Sequence, residues 1–221
     1  GRIALMDGDV LLSVGDFRIG PSIEEDYDSR PRLLSEDSDY GKTIRISPNG
    51  SAETFSSGHR NPQGLTYESD SGRVYLTEHG PRGGDELNLL QEGEDYGWPD
   101  ATFGAPYNRP NLPSGNWDFK RWNSRSGTYA PPLYTWVPAI APSQVVVYGG
   151  SEFAGWQGDL IIASLKDESL RRLWLDAEGG IIGDERLHVG ERVRDLVELS
   201  DGRLLMSFDS GKLGLLSLSQ K

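Results

Sequence analysis

The chain has 221 residues, and its 34 acidic and 22 basic residues give a formal net charge of −12. Such acidity argues against nucleic acid or an anionic membrane surface as a partner. The absence of cysteine excludes disulfides and thiolate chemistry, and no apolar run is long enough to predict a membrane span. The length allows one sizeable domain or two small ones.

Strand signals recur along the chain with a common shape, whereas no segment keeps a helical apolar period over three turns. Each repeat has a turn ending in glycine, one charged residue, an apolar run and a polar tail. The repeats are DGDVLLSVGD (7–16), SGRVYLTEHG (71–80), QGDLIIASLK (157–166) and DGRLLMSFDS (201–210). A strand is also predicted at GRIAL (1–5), and pairing strands precede three repeats, at GLTYES (64–69), SQVVVYGG (143–150) and VRDLVELS (193–200). Outer strands are predicted in KTIRIS (42–47), RRLWLD (171–176) and LGLLSLS (213–219).

A repeated unit of short apolar strands predicts an all-β protein and favours a β-propeller, with about four blades in residues 1–221 as a single domain. A β-sandwich is the alternative, since it also has short strands separated by turns. Two long loops are predicted: residues 18–41, which are acidic and interrupted by prolines, and residues 99–135, which carry tryptophans and tyrosines among proline and glycine. In a propeller, polar residues at equivalent strand ends converge on one mouth of the channel.

Several donor side chains fall near the ends of the predicted strands: Arg60, Asn61, Gln63, His79, Lys166, Arg192 and Arg194. Arg192 and Arg194 are two residues apart, so in a strand they point to the same side. Cations that face one channel repel one another unless an anion lies among them, which favours a ligand with several carboxylates. The alternative is ion pairing with local acids such as Asp195 or Asp209.

The segment 80–99 is predicted to be a glycine-rich, acidic loop that could bind a hard cation. Its main-chain carbonyls together with Glu86 would suit Ca²⁺, although the spacing is not that of an EF-hand. The alternative is an acidic turn in which Asp85 or Asp95 caps local amides. The three histidines are too scattered for a zinc site, and motifs for serine hydrolysis or nucleotide binding are absent.

Five motifs in register resemble the soluble quinoprotein sugar dehydrogenases, which are the PQQ-dependent glucose, aldose and sorbosone dehydrogenases. The motifs are GHRNPQGL (58–65), EHGPRGGDELNLL (78–90), YGWP (96–99), SLK (164–166) and ERVRDL (191–196). The resemblance implies a six-bladed β-propeller with pyrroloquinoline quinone (PQQ) across the channel mouth. It implies oxidation of the C1 hydroxyl of an aldose to a lactone, with hydride transfer to PQQ and an external electron acceptor.

The resemblance also implies roles for particular residues. The residues expected to contact PQQ are Arg60, Asn61, Lys166, Arg192, Arg194 and, with a looser positional match, Tyr107. The residues expected to hold Ca²⁺ are Gly80 and Pro81 beside the cofactor, and Glu86 and Tyr96 at a second site. Family members are generally exported, so a periplasmic or secreted location is implied, although no export signal is visible here.

The resemblance has one departure. The family's general base is a histidine in an earlier blade, upstream of GRIAL, and neither His59 nor His79 matches it. We therefore expect that about two upstream blades are missing and that this chain alone is inactive. The alternative function is a non-catalytic propeller module that binds a glycan or a protein. A calcium-dependent lactonase is a weaker alternative, because acids rather than arginines would line its channel.

Overall fold

The computed structural model describes residues 1–17, 35, 37–105 and 128–218. The described residues form strands, turns and bends, without an α-helix, and accordingly no helix there is long and apolar enough to cross a membrane. Most of the loop predicted at 18–41, much of that at 99–135, and Tyr107 lie outside the described residues. The chain divides into two compact units, Gly1–Ala139 (unit 1) and Ile140–Lys221 (unit 2).

Unit 1 contains two four-stranded antiparallel sheets, each with its strands in sequence order. The first sheet consists of β1 (Ile3–Met6), β2 (Asp9–Val14), β3 (Lys42–Ile46) and β4 (Ala52–Ser57). The second consists of β5 (Pro62–Glu68), β6 (Arg73–Glu78), β7 (Asp85–Leu90) and β8 (Tyr134–Trp136). A core cluster of this unit includes Met6, Leu11, Phe55, Leu65, Leu76 and Tyr96.

Unit 2 contains a four-stranded and a three-stranded antiparallel sheet, again in sequence order. The first consists of β9 (Pro142–Val147), β10 (Leu160–Ser164), β11 (Ser169–Leu175) and β12 (Ile181–His188). The second consists of β13 (Val193–Glu198), β14 (Leu204–Phe208) and β15 (Leu213–Leu216). Its core cluster includes Tyr148, Phe153, Ile161, Leu170, Leu196 and Leu204. The expectation of a single domain over 1–221 stays a prediction.

The apolar runs of the four sequence repeats form the second strand of each sheet, namely β2, β6, β10 and β14. A strand lies on either side of it, which explains its apolar run. The glycine that closes the preceding turn has a positive φ in all four cases, at Gly8, Gly72, Gly158 and Gly202. At the first turn Asp7 also has a positive φ, and Met6 pairs with Asp9. This two-residue hairpin has the glycine that such turns require.

The structure corrects the sequence interpretation at one functional segment. The segment 80–99 was predicted to form a loop, but Asp85–Leu90 is strand β7, paired with both β6 and β8. Its polar residues Asp85, Glu86 and Asn88 are all buried, so their polarity does not indicate a solvent-facing side of the strand. Strands β4, β8 and β12 were also missed. The other predicted strands are present, with boundaries that shift by a few residues.

Candidate functional site

The link between β4 and β5 carries the donors Arg60 and Asn61. At Gly58 this link packs closely against residues 95–97. Gly58 has a φ of +78°, and a Cβ there would collide with the Asp95 carboxylate and the main chain of Gly97. Only glycine allows both that conformation and that close approach. The main chain of the link is then fixed from both sides, because Arg60 O accepts from Asp16 N at 2.8 Å and Asn61 O accepts from His79 N at 3.1 Å.

The Glu78 carboxylate, at the end of β6, organises this link. One oxygen accepts hydrogen bonds from the main-chain amides of Arg60 (2.7 Å) and Asn61 (3.4 Å). The other lies 3.0 Å from His59 Nδ1 and accepts from Asn88 Nδ2 at 3.0 Å. Four donors therefore converge on one carboxylate that is only 4% exposed, which satisfies a group that would otherwise be costly to bury.

His59 is fully buried and connects Glu78 to the first sheet. Its Nε2 lies 2.8 Å from Ser56 Oγ, which is 2.6 Å from Thr43 Oγ1. Its ring stacks on Tyr96 with centroids 5.1 Å apart. A neutral imidazole that donates from Nδ1 and accepts at Nε2 satisfies the whole series. We name the residues Thr43, Ser56, His59, Glu78 and Asn88 the buried relay.

The Arg60 side chain lies against the strand that follows it in the sheet. Its Nη1 donates to His79 O at 3.0 Å and to Gly80 O at 2.9 Å, and its guanidinium lies 5.4 Å from the Trp98 ring centroid. Asn61 Nδ2 lies 3.3 Å from His79 Nδ1, and Asn61 Oδ1 accepts from Gln63 Nε2 at 2.9 Å. The donors predicted for this unit, Arg60, Asn61, Gln63 and His79, are thus brought together.

Glu86 faces Glu78 directly across the β6–β7 pair. Burial, with the nearby charge of Glu78, raises the pKa of the Glu86 carboxyl well above its usual value. Whereas Glu78 accepts several short hydrogen bonds, the Glu86 carboxylate accepts one long hydrogen bond, of 3.5 Å from Asn88 Nδ2, among the described residues. Both carboxylates, with Gly80, Tyr96 and Thr102, line a cavity of about 10 Å³, which is at the lower limit for one water or ion.

The other residues predicted to hold calcium have existing partners. Gly80 O accepts from Arg60, and Gly80 N donates to Asp85 Oδ1 at 3.0 Å. The Tyr96 hydroxyl donates to Leu89 O at 2.6 Å and accepts from Gln91 N at 3.0 Å, and burial raises its pKa to about 12. Because the Tyr96 hydroxyl already donates and accepts a hydrogen bond, Tyr96 would bind a metal through its main-chain carbonyl.

The alternative for this segment, local capping by acids, is present. Asp85 caps Gly80 N, and Asp95 Oδ1 accepts from Gly97 N at 2.8 Å. Within the described parts of the chain, no group of three or more histidine and acidic side chains has an arrangement that could hold a metal ion. A calcium site here would therefore depend on main-chain oxygens as well as Glu86.

Unit 2 brings together the other predicted cations. Arg192 Nε and Arg194 Nη2 each lie 2.7 Å from a different oxygen of Asp209, so the two arginines do share one side, as predicted. Arg192 Nη1 also reaches Leu165 O at 3.4 Å, beside Lys166. Lys166 is exposed, and its ammonium has no ion pair among the residues that the structure describes. We call Lys166, Arg192 and Arg194 the cation cluster.

The ion pairs with Asp209 correspond to the alternative stated from the sequence, in which local acids rather than a ligand pair with the arginines. Hydrogen bonds from Arg192 and then Arg194 lower the pKa of the Asp209 carboxyl. The arginine side chains are nevertheless 47% and 48% exposed, so the pairs are open to water and to other anions. The role of all these residues in cofactor binding stays a prediction, and Tyr107 lies outside the described residues.

Sequence reasoning missed Glu78, Asn88 and Trp98 as parts of the site. A signal was available for Asn88, because Glu86 and Asn88 alternate with leucines in DELNLL. Polar residues at every second position, opposite a strand that also ends in a glutamate, indicate a polar pair on one face of the sheet.

The comparisons with known proteins agree with this fold. A crystal structure of a glucose dehydrogenase matches with a TM-score of 0.80 and 30% identity, over 100% of this chain and 64% of that chain. The four antiparallel sheets are therefore blades of a partial β-propeller. The model of the family Glucose / Sorbosone dehydrogenase matches residues 1–217, and the chain belongs to that family.

Two curated relatives have named activities. The chain is 33% identical to the aldose sugar dehydrogenase YliI of Escherichia coli, over 87% of this chain and 54% of that protein. It is 26% identical to quinoprotein glucose dehydrogenase B of Acinetobacter calcoaceticus, over 75% of this chain and 47% of that protein. The chain thus spans about half the length of the curated relatives it matches.

Proposed function

We propose that this chain is the cofactor-binding part of a PQQ-dependent dehydrogenase that oxidises the C1 hydroxyl of an aldose to a lactone. Family membership supports a sugar oxidoreductase, and the quinoprotein relative supports a quinone cofactor. The cation cluster carries the proposal: Arg192 and Arg194 both bind the Asp209 carboxylate, and the adjacent Lys166 has no ion pair among the described residues. A group of three cations, in a chain of net charge −12, suits a ligand with several carboxylates.

The residues of this chain bind and orient the cofactor in this proposal. Lys166, Arg192 and Arg194 meet carboxylates or carbonyls of PQQ, Arg60 and Asn61 supply further donors, and Tyr107 supplies an aromatic contact. PQQ, when bound, supplies the electron-accepting quinone. The cations lower the free energy of negative charge that develops on the cofactor oxygens. We assign the base that removes the hydroxyl proton to none of the three histidines.

Calcium is the second proposed cofactor, and Glu86 fits it. A buried carboxylate that faces another carboxylate, with one long hydrogen bond of its own, is stabilised by a divalent cation with oxygen ligands. Glu86 and the main-chain carbonyl of Tyr96 would hold this ion. At the cofactor-side site, Gly80 and Pro81 would supply carbonyls only if Arg60 releases or shares Gly80 O, so that site fits less well.

The remaining parts of the proposal concern the whole protein. An aldose substrate and an external electron acceptor follow from the proposed reaction. A periplasmic or secreted location follows from the family resemblance. Nucleic acid is disfavoured as a partner by the net charge of −12.

PQQ titration tests the proposal directly. PQQ is added to the purified protein in the presence of CaCl₂, and the quinone absorbance is followed. We expect saturable binding, and Arg192→Ala is expected to weaken it about tenfold, because one charge-assisted contact is lost. The matched control is Arg203→Ala, since Arg203 also pairs with one carboxylate, Asp201, at 40% side-chain exposure. Unchanged reconstitution in Arg192→Ala would count against the proposal.

The second candidate function is a non-catalytic module that binds a glycan or a protein. The Asp209 ion pairs favour it, because they show that the arginines can be satisfied within the chain. The same titration separates the two functions: a binding module shows no shift in quinone absorbance at any calcium concentration. A dehydrogenase shows the shift and, in the whole protein, reduces an artificial electron acceptor when an aldose is added.

A further inference from the structure

We infer that Glu78 is a positioning residue for Arg60 and Asn61, and that His59 holds the Glu78 carboxylate in place for this task. The inference rests on the proposed function, in which Arg60 and Asn61 contact the cofactor. Glu78 itself touches no ligand in this scheme. It acts through the two main-chain amides that it binds, at 2.7 and 3.4 Å.

The main chain at Arg60 and Asn61 is held on every side by groups distant in sequence. Glu78 binds both amides, Asp16 N binds the Arg60 carbonyl and His79 N binds the Asn61 carbonyl. With the amides and carbonyls fixed, the two side chains leave the main chain in fixed directions. The Arg60 guanidinium can then meet the carbonyls of His79 and Gly80 together. Without the Glu78 carboxylate, both amides lose the one acceptor that they share.

The buried relay determines where the Glu78 carboxylate lies. Asn88 and His59 bind the oxygen that does not face the amides, so the carboxylate cannot rotate without losing two hydrogen bonds. His59 is anchored in turn by Ser56 and Thr43 of the first sheet. The relay therefore ties the orientation of the Arg60–Asn61 link to both sheets of unit 1.

The chemistry of the relay predicts which substitution is tolerated. In Glu78→Gln the amide oxygen can still accept from Arg60 N and Asn61 N. Its NH₂ group can face His59, if the imidazole changes tautomer, and Asn88, whose buried Oδ1 has no hydrogen-bond partner among the described residues. Glu78→Leu removes every acceptor and leaves buried donors unpaired. Glu78→Asp keeps the charge but is one methylene shorter, and so draws the carboxylate away from the amides.

The test combines PQQ affinity with hydrogen exchange at the amides of residues 60 and 61. The variants are Glu78→Gln, Glu78→Asp and Glu78→Leu in the full chain. The control is Leu11→Ala, which opens a cavity at a fully buried core position of the same unit. We expect Glu78→Leu to lose amide protection at residues 60 and 61 and at least tenfold in PQQ affinity. Glu78→Gln should stay within about threefold of the wild type, and Leu11→Ala should keep both properties despite its lower stability.

The outcomes separate the inference from the proposed function. If Glu78→Leu fails to fold, Glu78→Asp decides, with an expected loss of about three- to tenfold. Equal losses in Glu78→Gln and Glu78→Leu, or a loss in Leu11→Ala as large as in Glu78→Asp, would overturn the inference. If the wild type binds no PQQ, the proposed function fails, and amide protection alone then decides whether Glu78 positions the link.

Discussion

The candidate residues of the two units lie in opposite surroundings. In unit 1, Glu78 and His59 are almost completely buried, and each polar atom of their side chains has a partner within 3.4 Å. In unit 2, Arg192 and Arg194 are about half exposed and share one carboxylate. Buried networks of this kind set geometry, whereas exposed ion pairs set local charge and can exchange partners.

This difference assigns different tasks to the two sets of residues. A group that must point in one direction needs a fixed main chain, as the buried relay provides for Arg60 and Asn61. A group that attracts an anion needs positive charge and access to solvent, as the half-exposed arginines of the cation cluster provide. Substitutions should therefore affect stability most in unit 1, and affect anion affinity without much loss of stability in unit 2.

The largest effect is expected from His59→Ala in unit 1. The change leaves Ser56 and Glu78 with one partner fewer, opens a cavity and removes the stacking on Tyr96. We expect a loss of about 3–5 kcal/mol in the free energy of unfolding, measured by urea titration. The matched control is His188→Ala, because His188 is exposed on β12. It should change stability by no more than about 0.5 kcal/mol, and equal losses in both variants would contradict the comparison.

A smaller effect of opposite sign is expected from Glu86→Gln. Because burial beside Glu78 raises the pKa of Glu86, the folded chain keeps this proton at pH values where the unfolded chain has released it. Wild-type stability should therefore fall as pH rises above the usual carboxyl pKa, up to the raised pKa of the folded state. Without calcium, Glu86→Gln should be more stable near neutral pH, by on the order of 1 kcal/mol.

The same variant tests whether Glu86 binds calcium. Thermal unfolding is measured with CaCl₂ and with EDTA, and Glu53→Gln is the control because Glu53 is exposed on β4. If Glu86 is a calcium ligand, calcium should stabilise the wild type and Glu53→Gln but not Glu86→Gln. Equal stabilisation of all three proteins would remove Glu86 from the proposed calcium site. A stability difference that does not grow as pH rises would contradict the raised pKa.

Much of the fold could be predicted from the sequence, because the repeat couples local turn chemistry to an apolar run. The glycines at 8, 72, 158 and 202 have the positive φ that these turns need, and the runs after them are the second strands of the sheets. Strand β7 could not be predicted in this way. Its Asp85, Glu86 and Asn88 are buried against partners in β6 and in the 78–80 segment, and only tertiary contacts make that polarity compatible with burial.

The candidate site likewise contains residues that the local sequence pattern predicts and residues that only tertiary contacts reveal. The spacing of Arg192 and Arg194 predicts a shared side, and both do bind Asp209, although Arg192 precedes β13 and the register shifts between Val193 and Asp195. The role of Glu78 depends on amides 17 and 18 residues earlier in the chain. Such a contact depends on the packing of two sheets against each other, and a local sequence pattern does not predict that packing. The sequence therefore indicates accessible charges more readily than the buried groups that orient them.

The smallest effect on stability is expected from Asp209→Asn in unit 2. The two arginines lower the pKa of Asp209, so its stabilising contribution is present above the usual carboxyl pKa and is lost as pH falls through the folded-state value. Since the pairs are half exposed, we expect the melting temperature to change by less than about 3 °C at pH 7. The variant removes the carboxylate charge that both guanidinium groups bind, however, so PQQ affinity should rise about three- to tenfold at low salt and less at high salt. Asp201→Asn, which releases only Arg203, is the control and should leave that affinity unchanged. A fall in PQQ affinity in Asp209→Asn would mean that the carboxylate organises the arginines rather than competing with the ligand for them.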